Sequence, residues 1–573
     1  MKLKKLEILA LVLMIVVQSL VFLPFILNKN YIHIEEAKSL GHASGDVAEI
    51  QDRADFYDTW HNGAYYESYL ALNDGEDVNA IDVYKNQIND VNPPLYYMML
   101  NAAMNISRGS YSVWPGAIIN IIAYAIITVF LYLIAKRLFA GENYAALKSG
   151  AVTLLSALTL GALSSVIYTG MFSIVSMIVV IWSYIHIRMY EKKKVTAPIL
   201  IGLGVIAFLG LVISYYCLLF IVPMYVLFLT RYIRAKEKKT VMAYSFTLLG
   251  ALVAALAVFP FAAYNMFFGN LGGKIVGTLG IQSALLRSTI DYTQKINYFG
   301  FNNMLLVIAI LAIVCVFVKM RRPYVEKEET EALQDKKMII KTLLIPSFAY
   351  FLGVIAVSQW TELRYIMPIC GILFVLIMYG LYKFTFDAFG KKACAIIMAA
   401  VVVAMAVYPV ISKSTPESTY ADKEEVMEKI SGEYNLPAVY LLHTSDNRFL
   451  DDILMFTKLN NSYIAENYDF REKGSDFDDI IEGQDTKDGI LVFINNGQDN
   501  KYMLYSILNE TDFDSFKVVA ILNSGTIYHI GNGIEMEETL DLEYAETLTE
   551  EEILTDENGS VIETSVETEE VTE

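Results

Sequence analysis

Apolar runs close to 20 residues long recur along the chain, and they constrain the fold more than any other feature. A bilayer's hydrocarbon core is about 30 Å thick and offers no partner to a backbone amide, so such runs can cross it only as helices. Eleven segments meet or approach that length, near residues 7–28, 114–135, 146–166, 169–188, 196–213, 215–231, 241–264, 303–319, 341–358, 364–382 and 393–411. With 55% hydrophobic residues over 573 positions and a mean hydropathy of +0.41, the chain reads as an α-helical polytopic membrane protein of about 11 spans. The turns joining the third to sixth spans, in "ALSSVIYTGMFS" and "LVISYYCLLF", contain almost no polar residues.

Charge supplies an independent check, because short cytoplasmic loops carry excess Lys and Arg. Lys2, Lys4 and Lys5 put the N-terminus inside. Eleven crossings then bring every later cluster to the same side: "KR" at 136–137, "EKKK" at 191–194, "RYIRAKEKK" at 231–239, "KMRR" at 319–322 and "GKK" at 390–392. Three larger segments are expected outside, at 29–112, at 265–302 and beyond about residue 410. The first span has a basic start but no small-residue cleavage site after "LPFILNKNY", so it reads as a retained anchor.

The expected division is a membrane domain over 1–411 with its external loop 29–112, an extracytoplasmic α/β domain over 412–534, and a disordered acidic tail over 535–573. "PAVYLLHTS", "GILVFINN" and "FKVVAILNS" read as strands, "KEEVMEKISGEY" and "NKYMLYSILNE" as amphipathic helices. The tail holds sixteen acids and no Lys or Arg, too little apolar surface to fold on. "RRPYVEKEETEALQDKK" reads as a solvated cytoplasmic loop. Cys217, Cys315, Cys370 and Cys394 all lie in apolar runs, so no disulfide framework is implied. A formal charge of -19 argues against a nucleic-acid partner. There is no GxxxxGK[ST], HExxH or paired CxxC motif, and the glycines of "GLGVIAFLG" at 202–210 sit inside a span, where close helix packing explains them.

The spans are almost free of ionisable residues, whereas ion pumps need such groups near mid-membrane. Three polar features gather instead at the expected outer rim: Glu35 and Glu36 after the first span, "NDVNPPLYY" from Asn89 to Tyr97, and "QWTELRYIMP" from Gln359 to Pro368. Each has an ordinary structural explanation. The acid pair suits a solvated helix start, Pro93 and Pro94 a rigid first turn, and Arg364 a side chain reaching from a span to the interface.

Taken in order, the features resemble the polytopic lipid-linked-sugar glycosyltransferases of the GT-C superfamily, family 39-like, which includes the protein O-mannosyltransferases and the lipid A aminoarabinose transferases. The resemblance covers roughly residues 1–410: an anchor, an acidic pair opening the first external loop, "PPLYY" before the second span, many further helices and an external "RY" before a late span. It implies a GT-C-like fold and places Glu35 and Glu36 at the family's Asp-Glu pair. Glu35 has the longer side chain at the position of the family's catalytic base, and Asp90, three residues before Pro93, competes for that role. Asn92 takes a position where the family often has His. Tyr96 and Tyr97 match aromatics that support the loop or contact carrier lipid. Arg364 and Tyr365 fit a donor phosphate, with Lys274 as a weaker candidate. A carboxylate would receive the acceptor hydroxyl's proton, a fixed guanidinium would hold the phosphate leaving group, and direct displacement would invert the anomeric centre. The sequence demands no cofactor and leaves a divalent metal open.

The function implied is transfer of a sugar from a polyprenyl-phosphate donor to a glycan, lipid or protein acceptor in the cell envelope, at the outer face of a bacterial cell membrane. A transporter or envelope assembly protein, and a lipid-linked glycan ligase or polymerase, are the rival readings. The topology makes a direct prediction. Single reporter cysteines near residues 60, 285 and 480 will react with an impermeant reagent from outside, and those near 235 and 330 only after the membrane is opened; same-side labelling at 60 and 330 would break the eleven-span arrangement.

Overall fold

The computed structural model describes residues 4–534 apart from 46, 48, 74, 76–78, 89, 91, 193–194, 268–281, 322–330, 359, 418, 420–429, 443–446, 467, 469–476, 497–498 and 523. The expected acidic tail, the helix over "KEEVMEKISGEY" except its last residues, and most of the insert at 321–337 lie outside the described residues. The chain forms two compact units. The first takes residues up to Phe56, Ala64–Glu424 and Leu450–Thr457; the second takes Tyr57–Gly63, Glu425–Phe449 and the described residues from Lys458 onward.

The first unit is a bundle of apolar helices. Its opening helix, α1 (Lys5–Leu27), buries Leu11, Met14, Gln18, Phe22 and Ile26 at helical spacing, while Leu9, Leu13, Val16 and Leu20 stay exposed. One stripe faces neighbouring helices and the rest suits lipid. Among the described residues, seven helices are long and apolar enough to cross a membrane, or nine if each bent pair is one span. The bent pairs are Ala145–Ala157 with Leu160–Ile167, at 55°, and Leu285–Gly300 with Leu305–Met320, at 92°.

This number differs from the expected eleven for two physical reasons. Ala197–Ile213 is apolar but only 17 residues long. Leu363–Ile411 runs as one 49-residue element, yet at Gly390 its backbone turns to φ 76°, ψ -178°. Glycine reaches that left-handed region without the strain a Cβ would bring. The break falls in "GKK", where the sequence separates the tenth and eleventh segments.

Ion pairs tie helix ends together at one end of this unit. Lys136 meets Glu7 at 2.5 Å, Arg137 meets Glu191 at 2.7 Å and Lys383 meets Glu142 at 2.5 Å. At the opposite end, the segment after α1 folds into α2 (Ile34–Ser44), followed by helices Gly63–Leu70, Ala80–Asn86 and Leu95–Met104.

The second unit is built on a six-stranded sheet ordered β1-β3-β2-β4-β6-β5, from β1 (Trp60–His61), β2 (Pro437–Leu442), β3 (Asn461–Glu466), β4 (Ile490–Asn495), β5 (Ser515–Ile521) and β6 (Gly525–Gly531). β2 runs parallel to β3 and β4; the other pairings are antiparallel. β2 and β4 are buried at every position, as expected for central strands covered on both faces. The helix Asn500–Glu510, capped by Asp499, contributes Met503, Leu504 and Ile507 to a core with Val439, Val492 and Ile530. Three expected strands and one expected helix are present. β3, β6 and β1 are additions, and β1 comes from the segment between α1 and the helix Trp114–Leu138, with Trp60 opposite Tyr463.

Candidate active site at one rim of the membrane unit

α2 starts where its first amides find acceptors. His33 is the N-cap: its Nδ1 accepts from the Glu35 amide at 3.2 Å, and its own amide donates to Glu36 Oε2 at 3.0 Å, closing a capping box. Asp451 adds a third acceptor, taking the Ile34 amide at 2.5 Å and the Tyr31 hydroxyl at 3.2 Å. Carboxylates at a helix N-terminus also meet the positive end of its dipole.

The two adjacent acids have different surroundings. Glu36 is fully buried, as is its ion-pair partner Lys29. The Thr169 amide donates to Glu36 Oε1 at 2.6 Å, and Lys29 Nζ also donates to the Ile167 carbonyl at 2.8 Å. Both Glu36 oxygens are therefore committed: Oε1 fixes α2 against the turn between Leu160–Ile167 and Phe172–Glu191, and Oε2 caps α2 itself. Glu35 leaves 46% of its side chain exposed and lies 4.0 Å from Arg364 Nη2.

Arg364 stands in the first turn of Leu363–Ile411 with only 9% of its side chain exposed. Its Nη2 meets Glu362 Oε2 at 2.5 Å and donates to the Tyr365 hydroxyl at 3.1 Å, while Nη1 donates to the Tyr168 hydroxyl. The guanidinium carbon lies 5.4 Å and 5.0 Å from the Tyr168 and Tyr365 ring centres. Its Nε is buried without a partner. Tyr365 stacks on Tyr216 at 5.1 Å, and Phe172 meets its edge. Aromatic packing thus fixes a cation whose Nη2 turns toward the Glu35 and Glu362 side chains.

Asp90 approaches from the loop before Leu95–Met104. Its Oδ2 accepts from the Asn92 amide at 3.3 Å and, with the Gln87 amide oriented to suit its neighbours, from Gln87 at 3.0 Å. Asn265 holds the loop by donating to the Asp90 carbonyl at 2.7 Å. Pro93 and Pro94 are buried and Pro94 is the N-cap of Leu95–Met104. Tyr96 and Tyr97 are buried behind them, edge to face at 5.5 Å. Burial raises the Tyr97 hydroxyl well above its usual range, and the charges of Asp90 and then Glu35 add to that shift. Tyr97 is therefore within electrostatic reach of both candidate bases. Lys274 lies outside the described residues.

Several further residues shape the electrostatics of the site. His33 is pushed down to about 3 by burial and by the charges of Arg364, Lys29 and Lys295, so it caps α2 as the neutral ring. Glu362 is pushed up to about 8, first by burial and then by Glu35 and Glu417, against the opposing charge of Lys295. Lys295 pairs with Glu417 at 2.9 Å. Glu362 is two residues from Arg364 and could have been noticed in "TELRY"; Asp451, more than 400 positions from α2, could not. Among the described residues no group of three or more His, Cys, Asp or Glu is arranged to hold a metal ion.

Residues 111–346 match the family model described as Glycosyltransferase family 87. That stretch covers many of the bundle helices and stops short of Glu35, Asp90 and Arg364. No curated protein sequence matches the chain. Similar solved structures include ArnT from Cupriavidus metallidurans bound to undecaprenyl phosphate, with 11% identity and a TM-score of 0.46 over 90% of this chain and 97% of that one. The Archaeoglobus fulgidus oligosaccharyltransferase in its apo form has 11% identity and a TM-score of 0.41 over 81% and 65%. The archaeal oligosaccharyltransferase AglB from Archaeoglobus fulgidus, in complex with an inhibitory peptide and a dolichol-phosphate, has 12% and 0.40 over 91% and 74%. The family match and the apolar helices support a multi-pass membrane protein of glycosyltransferase type.

Removing one partner of a buried ion pair strands the other charge. Lys29→Met should therefore lower stability by about 3–5 kcal/mol, read as a lower unfolding temperature in lipid nanodiscs. Lys29→Met combined with Glu36→Leu should cost less than Lys29→Met alone.

Proposed function

We propose that this protein transfers a sugar from a polyprenyl-phosphate donor to an acceptor in the cell envelope, on the extracytoplasmic face of the cell membrane and with inversion at the anomeric carbon. The observation that carries the proposal is the pairing of a nearly buried, aromatic-braced Arg364 with a half-exposed Glu35 carboxylate 4.0 Å away. The lipid keeps the donor's phosphate near the rim, where a fixed guanidinium can bind it through charge-assisted hydrogen bonds. Charge that develops on the departing phosphate is stabilised by the same group. In-line displacement puts the acceptor hydroxyl opposite the departing phosphate, so the half-exposed Glu35 side chain swings away from Arg364 as the donor enters and takes that hydroxyl's proton.

Glu35 suits that role better than its neighbour, because Glu36 already accepts from Lys29 and two backbone amides. Asp90 is the second candidate, with one carboxylate oxygen held by the Asn92 amide. Tyr97, Pro93 and Pro94 support the loop that carries it. Tyr365 braces Arg364, and Lys274 is a further candidate for the phosphate. The orientation that places this rim outside rests on the Lys and Arg distribution.

Purified protein in lipid, supplied with a panel of polyprenyl-phosphate sugars and envelope acceptors, should release polyprenyl phosphate only when both substrates are present. The product should gain the mass of one donor sugar. Addition of a preassembled glycan would favour a ligase or polymerase, and solute movement across sealed vesicles without donor consumption would favour a transporter. If Glu35 is the base, Glu35→Gln should lower kcat by roughly 10²–10⁴-fold, with a much smaller effect from Asp90→Asn. The reverse ranking would transfer the role to Asp90.

A further inference from the structure

The Arg364 guanidinium is engaged by the carboxyl group of Glu362. Glu362 Oε2 lies 2.5 Å from Arg364 Nη2, whereas Glu35 Oε2 is 4.0 Å from the same nitrogen. Glu362 keeps 26% of its side chain exposed, so water reaches it. We propose that Glu362 is a placeholder ligand, whose carboxyl group occupies the Arg364 guanidinium and gives it up to an arriving lipid phosphate. The inference rests on the donor reading above and adds a positioning residue to it.

The surroundings of Glu362 determine how the exchange can occur. Its own helix contributes Arg364 and Tyr365. α2 contributes Glu35, with His33 at its cap; the helix Gln282–Lys295 contributes Lys295 and Tyr292; the segment after Leu363–Ile411 contributes Glu417, and Asp451 comes from residues 450–457. Tyr216 adds its ring from the turn before Leu218–Arg234. Lys295 favours the carboxylate, but burial and the acids Glu35, Glu417 and Asp451 outweigh it and push the carboxyl up to about 8.

A phosphate entering the site would place another negative charge beside these acids, which drives Glu362 further toward its neutral form. Below about pH 8 the acid is already protonated, so the phosphate displaces no charge. Above it, each binding event requires Glu362 to take one proton from solvent, and no covalent bond other than that O–H is formed. Affinity for the lipid phosphate therefore falls as pH rises through this range.

The test is calorimetric titration of the full-length protein in nanodiscs with a polyprenyl monophosphate. From about pH 7 to about pH 9.5 the probe stays dianionic, since its second ionisation lies near 6. Wild-type Kd should rise by up to about tenfold per pH unit above about 8. Glu362→Gln should remove that slope and bind more tightly than wild type at the high-pH end. Glu362→Asp keeps the charge but withdraws it by one methylene, so it should retain the slope with an intermediate Kd, and it serves if the glutamine variant does not fold. Glu362→Gln matching the wild-type Kd and slope, or binding more weakly at every pH, would overturn the placeholder role and leave the donor reading standing. No binding by wild type at any pH would overturn the donor reading and, with it, the placeholder.

Discussion

The buried pair of Lys29 and Glu36 is the constraint on which the rim is built. Two full charges without solvent exposure persist only if each is paired and further hydrogen-bonded, and both conditions hold here: Glu36 takes two backbone amides and Lys29 a backbone carbonyl. The consequence is positional. The first turn of α2 is pinned to the Ile167–Thr169 turn, and Tyr168 within that turn touches Arg364. One buried interaction thus sets the separation between Glu35 and Arg364, which come from segments more than 300 residues apart.

Adjacent acids often look interchangeable in a sequence, but this pair shows why they need not be. Successive helical residues point about 100° apart, so one carboxylate can be spent on structure while the next faces the open side. The same division applies near Arg364. Tyr168, Tyr216 and Tyr365 supply packing and ring faces, while Glu35 and Glu362 supply carboxyl groups. A guanidinium surrounded in this way is held in place before any ligand arrives, which reduces the ordering that binding must accomplish.

Much of this was legible in the sequence because it depended on composition over long windows. Helix positions followed from apolar length, the break at Gly390 from "GKK", and the central strands β2 and β4 from continuous apolar runs. The short apolar helix Ala197–Ile213 and the bend after Gly300 were harder, because a run of about 17 residues does not reveal how it crosses a bilayer. β1 could not be foreseen, since two residues of an acidic loop become a strand only by pairing with β3. Glu35, Arg364 and Asp90 were singled out by motif order. Glu362 lies within "TELRY", but its importance comes from packing beside Glu35, Glu417 and Asp451, which the motif does not display. Asp451 capping α2 is a tertiary fact with no local signature.

The central claim is that Arg364 anchors the donor's phosphate at this rim, and donor kinetics of Arg364→Ala test it most directly. Loss of a hydrogen-bonded charge contact should cost about 1.5–3 kcal/mol, a rise in the KM for the polyprenyl-phosphate donor of roughly 10–150-fold, while the KM for the acceptor changes little. A donor KM equal to that of the wild type in a folded variant would contradict the account.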